Sequence, residues 1–412
     1  MRYTFVPLAK TILNTIGFDI SKIESMDKLF QSINYIASNI IENEETILDL
    51  SAIEDNILKE KIIDYFIISS YNFKKKDNLK NVKLDDGSVI YSHIGNATLE
   101  CMKLIDMPPN IMNSDTLKEY IIQNNIEGVS VEILDEEYLR REGYNGILAI
   151  NQGSIRPSRM IILRYGNSQN PIVLIGKGVI FDSGGINIKM GDFSDMKSDK
   201  TGAIYVLGII KALALSESKG SFVGIIPIVE NMPSSKAFHP GDIYTAKNGK
   251  TIEISNTDAE GRIILSDAIL WCNYNIITPS IIIDIATLTG QAAYIFGGFG
   301  TALMYNPVAK PYADSLIKLG EENREYIWEL PCHRVFKEGL NSQIADITNH
   351  KKDNRASTIN AGMFLKEFLN DDNIPWLHLD IAGVAFNKKP TGKPMKTIYE
   401  FCNVLTEIWN AS

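Results

Sequence analysis

Asp258 and Glu260 stand two residues apart in the segment Asn256-Thr257-Asp258-Ala259-Glu260-Gly261-Arg262. On an extended backbone both carboxylates project to one side and can grip a pair of cations, while Arg262 adds a permanently charged fork of donors. The same residues also suit a helix start, because acidic groups are favourable at its positive end. Asp199 directly precedes a helical stretch beginning near Gly202, so it reads equally as an N-cap. Further upstream, Gly176-Lys177-Gly178 leads through an apolar stretch to Asp182. The P-loop spacing is absent. Lys177 and Asp182 either pair as buried ions or enter one cleft together. Asp182, Asp199, Asp258 and Glu260 carry four negative charges, which two divalent cations balance. Without cations, converging carboxylates repel and raise one another's pKa. Lys177 facing two cations is disfavoured as an ammonium and can become a neutral nitrogen ligand. A mostly oxygen set with no His or Cys suits Zn²⁺, Mn²⁺, Mg²⁺ or Co²⁺.

Such residues need a scaffold that brings distant segments to one edge, and open α/β sheets do this beyond the carboxyl ends of their strands. Candidate strands are Val129 to Leu134, Gly146 to Asn151, Met160 to Arg164, Ile172 to Ile175, Phe222 to Val229 and Ile281 to Ala286. Gly202 to Leu215 and Ile264 to Asn275 read as helices between them. Near-continuous apolar strands alternating with helices predict an α/β fold, a mixed, mostly parallel sheet with helices on both faces. A hairpin is expected from Asp242 to Tyr244, a turn at Asn248-Gly249, and Thr251 to Ile254. The amino-terminal region carries no recognisable chemistry, and its stretches Glu44 to Glu54 and Leu58 to Tyr71 read as helices. A helix near Asn96 to Ile105, closed by Pro108 and Pro109, reads as a linker. The expected organisation is a small amino-terminal α/β domain over 1–94, a linker helix over 95–111 and a catalytic domain over 112–412.

The chain has 412 residues, with 41 Lys+Arg against 50 Asp+Glu and a formal net charge of −9. That balance argues against a nucleic-acid partner, despite the locally basic segment His350 to Arg355. No apolar run approaches the ~20 residues a membrane helix needs, and the start MRYTFVPLAK lacks a signal-peptide core. Cys101, Cys272, Cys332 and Cys402 form no zinc or disulfide pattern, which fits a reducing, cytoplasmic setting. His378, Asp267 and Asp284 read as structural residues near strand and helix junctions.

Several segments resemble the leucyl (cytosol) aminopeptidase family in one order: Gly176-Lys177-Gly178, Phe181 to Gly185, Lys189, Met196, Asp199, Asn256 to Arg262, and Asp284 to Gly290. Asn231-Met232-Pro233, Ala345-Asp346 and His378 to Gly383 extend the match, which covers about residues 100 to 390. The resemblance implies a two-metal exopeptidase acting on peptides with a free N-terminus. It implies that Lys177, Asp182, Asp199 and Glu260 hold the tighter metal, and that Asp182, Asp258 and Glu260 hold the exchangeable one, Zn or Mn foremost. A hydroxide between the metals would attack the peptide carbonyl, Lys189 would act as electrophile, and an Arg262-bound bicarbonate would shuttle the proton. Asp199 would receive the substrate amine. Thr287, Leu288 and Gly290 would align the peptide, and Met196 would line the first-residue pocket. The family assembly implied is a homohexamer. The chain departs from the family in reading Asp199-Lys200-Thr201-Gly202-Ala203, where a small residue or Met usually follows the aspartate. The stretch from Lys189 to Asp199 is also one residue shorter. Two other functions share parts of this pattern, a two-metal phosphoesterase and a non-catalytic regulatory binding protein.

Overall fold

The computed structural model describes residues 14–17, 26–38, 46–51, 53–74, 79–276, 278–350, 353, 355–370 and 372–411. Much of the basic segment, Lys351, Lys352 and Asn354, lies outside them. The chain divides into two compact units, residues 1–103 and 104–412.

The first unit runs β1 (Asn14–Gly17), α1 (Met26–Ser38), β2 (Thr46–Asp49), α2 (Asn56–Ser69), β3 (Val82–Leu84) and most of α3 (His93–Asp106). Its strands are all parallel in the order β1-β2-β3. Asp55 starts α2 by accepting the Ile57 and Leu58 amides, and Ile62 and Phe66 bury with Leu48 and Val82 in one core. The helix expected from Glu44 to Glu54 is not formed over β2. Thr46 and Leu48 are buried while Ile47 and Asp49 are half-buried, the period of two that a central strand between two partners imposes.

In the second unit α4 (Ser114–Gln123), β4 (Val129–Leu134), α5 (Glu136–Glu142), α6 (Asn145–Asn151), β5 (Arg159–Tyr165), β6 (Ile172–Gly176) and β7 (Gly178–Asp182) come first. Then follow α7 (Thr201–Leu215), β8 (Phe222–Asn231), β9 (Ile243–Thr245), β10 (Thr251–Glu253), α8 (Gly261–Asn275), β11 (Ile281–Ala286) and α9 (Gly290–Phe296). The remainder is β12 (Thr301–Tyr305), α10 (Lys310–Asn323), β13 (Ile327–Glu329), β14 (Ile347–Thr348), α11 (Ser357–Lys366), β15 (Trp376–Asp380), β16 (Phe386–Asn387), β17 (Lys389–Pro390) and α12 (Met395–Ala411). The main sheet has the order β13-β12-β15-β11-β6-β8-β5-β4, with β7 also running along β8. β12 against β15, β8 against β5 and β5 against β4 are antiparallel; the other pairings are parallel. This is the mixed, mostly parallel sheet expected from sequence. Every residue of β6, β8 and β11 is buried, as strands covered on both faces require. Alternate residues Val173 and Ile175 of β6 join Ile264, Leu265 and Ala268 of α8 in one apolar cluster.

The run Gly146 to Asn151, expected as a strand, is helix α6. Four apolar residues in a row carry no period that separates helix from strand, and the decision is made from 120 residues away. Asp267 on α8 accepts the Ile147 amide at 2.8 Å and so supplies the helix with a cap. The hairpin β9–β10 forms as expected, Thr245 opposite Thr251, and β14 extends it in parallel.

Two glycines let the start of α7 press against the ends of the central strands. A Cβ on Gly202 would stand 2.1 Å from the Ile285 carbonyl oxygen, and one on Gly176 would stand 2.4 Å from the Gly202 oxygen. In this packing the Ala203 amide donates to the Lys177 carbonyl, and the Lys177 amide to that of Ile285. The Asp199–α7 junction is thereby brought beside Lys177.

Candidate metal centre

Lys177 lies between β6 and β7, Asp182 closes β7, Asp199 sits in the 3₁₀ turn Ser194–Lys200, and Asp258 and Glu260 precede α8. Loops at one end of parallel strands thus bring together all five residues that the sequence singled out. The helix-cap readings fall away. The residues at the N-caps of α7 and α8 are Lys200 and Glu260, and neither side chain caps its helix. The carboxylates face each other instead: oxygens of Asp182, Asp258 and Glu260 all lie within 4.8 Å of one another.

The Lys177 ammonium is 2.8 Å from Asp199 Oδ1, 2.8 Å from Glu260 Oε1 and donates to the Thr287 carbonyl at 2.7 Å. Its ion-pair partners are therefore Asp199 and Glu260 rather than Asp182. Lys189 reaches in from the loop after β7, 2.7 Å from Asp182 Oδ2 and 2.5 Å from Asp258 Oδ1. Lys177, Asp182, Asp199 and Glu260 are buried, whereas Lys189 and Asp258 line the open side.

Four carboxylates against two ammonium groups leave the cluster with excess negative charge, and its proton affinities reflect this. Burial, then repulsion from Glu260, pushes Asp182 up; burial pushes Asp199 well up; burial and Asp182 push Asp258 up to about 6. Glu260 goes the other way, because Lys177 and Lys189 outweigh its burial. Lys177 is held protonated: burial alone would lower it, but Asp199 and Glu260 raise it above its ordinary value. The neutral amine expected beside two cations thus requires the cations, whose charge would reverse that balance.

The donor set fits divalent ions. Asp199 Oδ2 is buried with no hydrogen-bond partner among the described residues, an acceptor left over after Lys177 and Thr287 have taken Oδ1. A buried carboxylate oxygen without a donor is costly unless a cation faces it. Arg262 is likewise incomplete: buried, it donates through Nη1 to the Asn349 carbonyl at 2.8 Å, while its Nε has no partner among the described residues. Burial pushes Arg262 down to about 10.

Several supporting residues were not legible as such. Asn231, closing β8, donates to Asp182 Oδ1 at 2.8 Å and to the Thr257 carbonyl at 3.0 Å, tying two acidic segments together. Thr287 Oγ1 donates to Asp199 Oδ1 at 2.7 Å, and Asp380 accepts from the Leu288 amide and the Thr289 hydroxyl. In the sequence these stood only as members of matching segments, with Thr287 expected to align the peptide, and nothing pointed to contacts with the carboxylates. Met196 is half-buried and Gly290 is exposed at the start of α9. His378 is a core residue, with Nδ1 2.5 Å from Asp284 Oδ1, as expected.

A lysine and acidic cluster at the carboxyl edge of a mixed α/β sheet, with a second lysine on its open side, is the arrangement of a candidate metal centre of hydrolytic type. Residues 100–399 match the model of the cytosol aminopeptidase family, catalytic domain, and the chain belongs to that family. It is 38% identical over 346 residues to a probable cytosol aminopeptidase of Phytoplasma australiense, covering 78% of this chain and 69% of the relative. It is 32% identical over 416 residues to one of Thioalkalivibrio sulfidiphilus, covering 96% and 82%. Against one of Syntrophotalea carbinolica, 41% identical over 304 residues, the match takes in 73% of this chain and only 60% of the relative. Among solved structures, the bottromycin maturation enzyme BotP superposes with a TM-score of 0.82 at 25% identity, covering 92% of this chain and 88% of that one. Leucyl aminopeptidase from Trypanosoma brucei in complex with bestatin gives 0.81 at 25% identity, covering 92% and 77%.

Proposed function

We propose that the protein is a metallo-aminopeptidase that hydrolyses the N-terminal residue from peptides. The observation that carries this is the unpartnered buried oxygen of Asp199 inside a cluster whose three other carboxylates converge within 4.8 Å. Lys177, Asp182, Asp199 and Glu260 would hold one divalent ion, and Asp182, Asp258 and Glu260 the other, with Zn or Mn as the leading candidates. When bound, such ions polarise the peptide carbonyl and make water a nucleophile near neutral pH.

The chain's own groups supply the rest. The Lys189 ammonium, on the open side and paired with Asp182 and Asp258, would donate to a carbonyl oxygen as negative charge develops there. Asp199 would accept the substrate's free amine, which restricts cleavage to N-terminal residues. The Arg262 guanidinium, with a buried Nε left over, would hold a bicarbonate anion suited to accept and return a proton. The Thr287–Gly290 edge would align the peptide backbone and Met196 would line the pocket for its first side chain. We assign the protein to the cytoplasm and to a homohexamer by the same family reading; among the described residues no helix is long and apolar enough to cross a membrane.

The test is hydrolysis of leucine amide and its N-acetyl derivative by protein dialysed against Mn²⁺ or Zn²⁺. Cleavage of the free amine alone is expected. Equal cleavage of both, or of neither, overturns the reading.

A further inference from the structure

Lys200 is fully buried directly behind the metal centre, and its ammonium is not spent on the carboxylates there. Nζ donates to three backbone carbonyls: Ile105 at 2.9 Å, Met107 at 3.4 Å and Lys197 at 2.5 Å. The first two belong to the C-terminal end of α3 and the residue after it, where carbonyls lack intrahelical partners and carry partial negative charge. The third lies in the 3₁₀ turn that carries Asp199. Three acceptors match the three N–H groups of an ammonium one for one. Asp106 on this side already pairs with Lys197 at 2.7 Å, so the cage offers Nζ only neutral carbonyl acceptors, which hold its ammonium although burial and the Lys197 charge push it down to about 7.

Neighbouring side chains therefore face opposite ways. Asp199 enters the metal centre, and Lys200 enters the carbonyl cage. Fixing Lys200 fixes the Asp199 backbone between the end of α3 and the start of α7. We propose that Lys200 acts as a tethered monovalent cation, a positioning residue for Asp199, and that its cage becomes a binding site for a free potassium or ammonium ion once the side chain is removed. The cage does not depend on the peptidase reading; the effect on Asp199 does.

The experiment compares full-length Mn²⁺-loaded wild type, Lys200→Ala and Lys200→Met in potassium, ammonium or tetramethylammonium chloride at equal ionic strength. Wild type is expected to melt alike in all three. Lys200→Ala should melt about 3 °C or more higher in potassium or ammonium than in tetramethylammonium, which is too bulky for the cage. Its kcat/KM on leucine amide should rise about tenfold in the same salts. Lys200→Met, which fills the cage without charge, should show neither response. Should Lys200→Ala prove insoluble, its refolding yield is measured in the same salts, with recovery expected only in potassium or ammonium. Equal melting of Lys200→Ala in the three salts, or equal or absent recovery on refolding, overturns the proposal. Failure of the peptidase reading looks different: wild type itself would be inactive while the melting response remained.

Discussion

Lys177 lies directly across Gly261: a Cβ at position 261 would stand 2.6 Å from Lys177 Cε and 2.7 Å from its Nζ. The first residue of α8 is thus a glycine for a reason outside the helix. A methyl group there would push the ammonium from its seat between Asp199 and Glu260, and a shift of about 1 Å in such a centre can cost on the order of 10²-fold in rate. Gly261→Ala should fold, as alanine favours helices, yet lose at least tenfold in kcat/KM on leucine amide and bind fewer metals per chain by elemental analysis. Full activity and two metals would show that Lys177 can yield without consequence.

Thr287 touches both members of one ion pair, its carbonyl accepting from Lys177 and its hydroxyl donating to Asp199 Oδ1. Thr287→Val keeps the carbonyl and the side-chain shape and removes only the donor. A hydrogen bond to a charged group contributes about 1.5–3 kcal/mol, so kcat/KM for substrates with a free amine should fall about tenfold or more. Thr287→Ser should recover most of it. A valine variant with wild-type kinetics would place the Asp199 orientation wholly with Lys177.

The strands whose residues are all buried were readable as apolar runs, because a strand covered on both faces needs no polar alternation; β6 and β11 are the clearest cases. The convergence of the candidate metal-site side chains was readable because chemistry dictates their types, and four carboxylates with a lysine are too costly to gather without a purpose. The contacts that support them were not, although Asn231 and Thr287 both stood in matching segments. Asn231 and Thr287 meet Asp182 and Asp199 only through the packing of β8, β11 and the turn before α7, across 49 and 88 residues of chain. The two misread elements failed for the same kind of reason. β2 is a strand because β1 and β3 flank it, and α6 is a helix because Asp267 caps it from afar.

That cap has a pH signature. Asp267 is fully buried; Oδ2 takes the Ile147 amide, while Oδ1 has no partner among the described residues. Burial pushes its carboxyl up to about 7, against the pull of the Ile147 and Gly146 amides. An acid whose pKa is higher folded than unfolded, where it is about 3.9, holds its proton in the native state while the unfolded chain has released it. Its contribution is fully present below about pH 4 and is lost as pH rises through about 7. Asp267→Asn retains a carbonyl oxygen for the two amides and cannot ionise. Because the carboxylates of the candidate metal centre are the same in both proteins, the informative quantity is the difference between them. Denaturant unfolding at successive pH values should show the asparagine variant gaining on wild type from about pH 4 to pH 7, by on the order of 3 kcal/mol, and then holding level. Parallel curves across that window would mean that Asp267 is ionised in the folded protein and that its charge is matched by a donor other than the α6 amides.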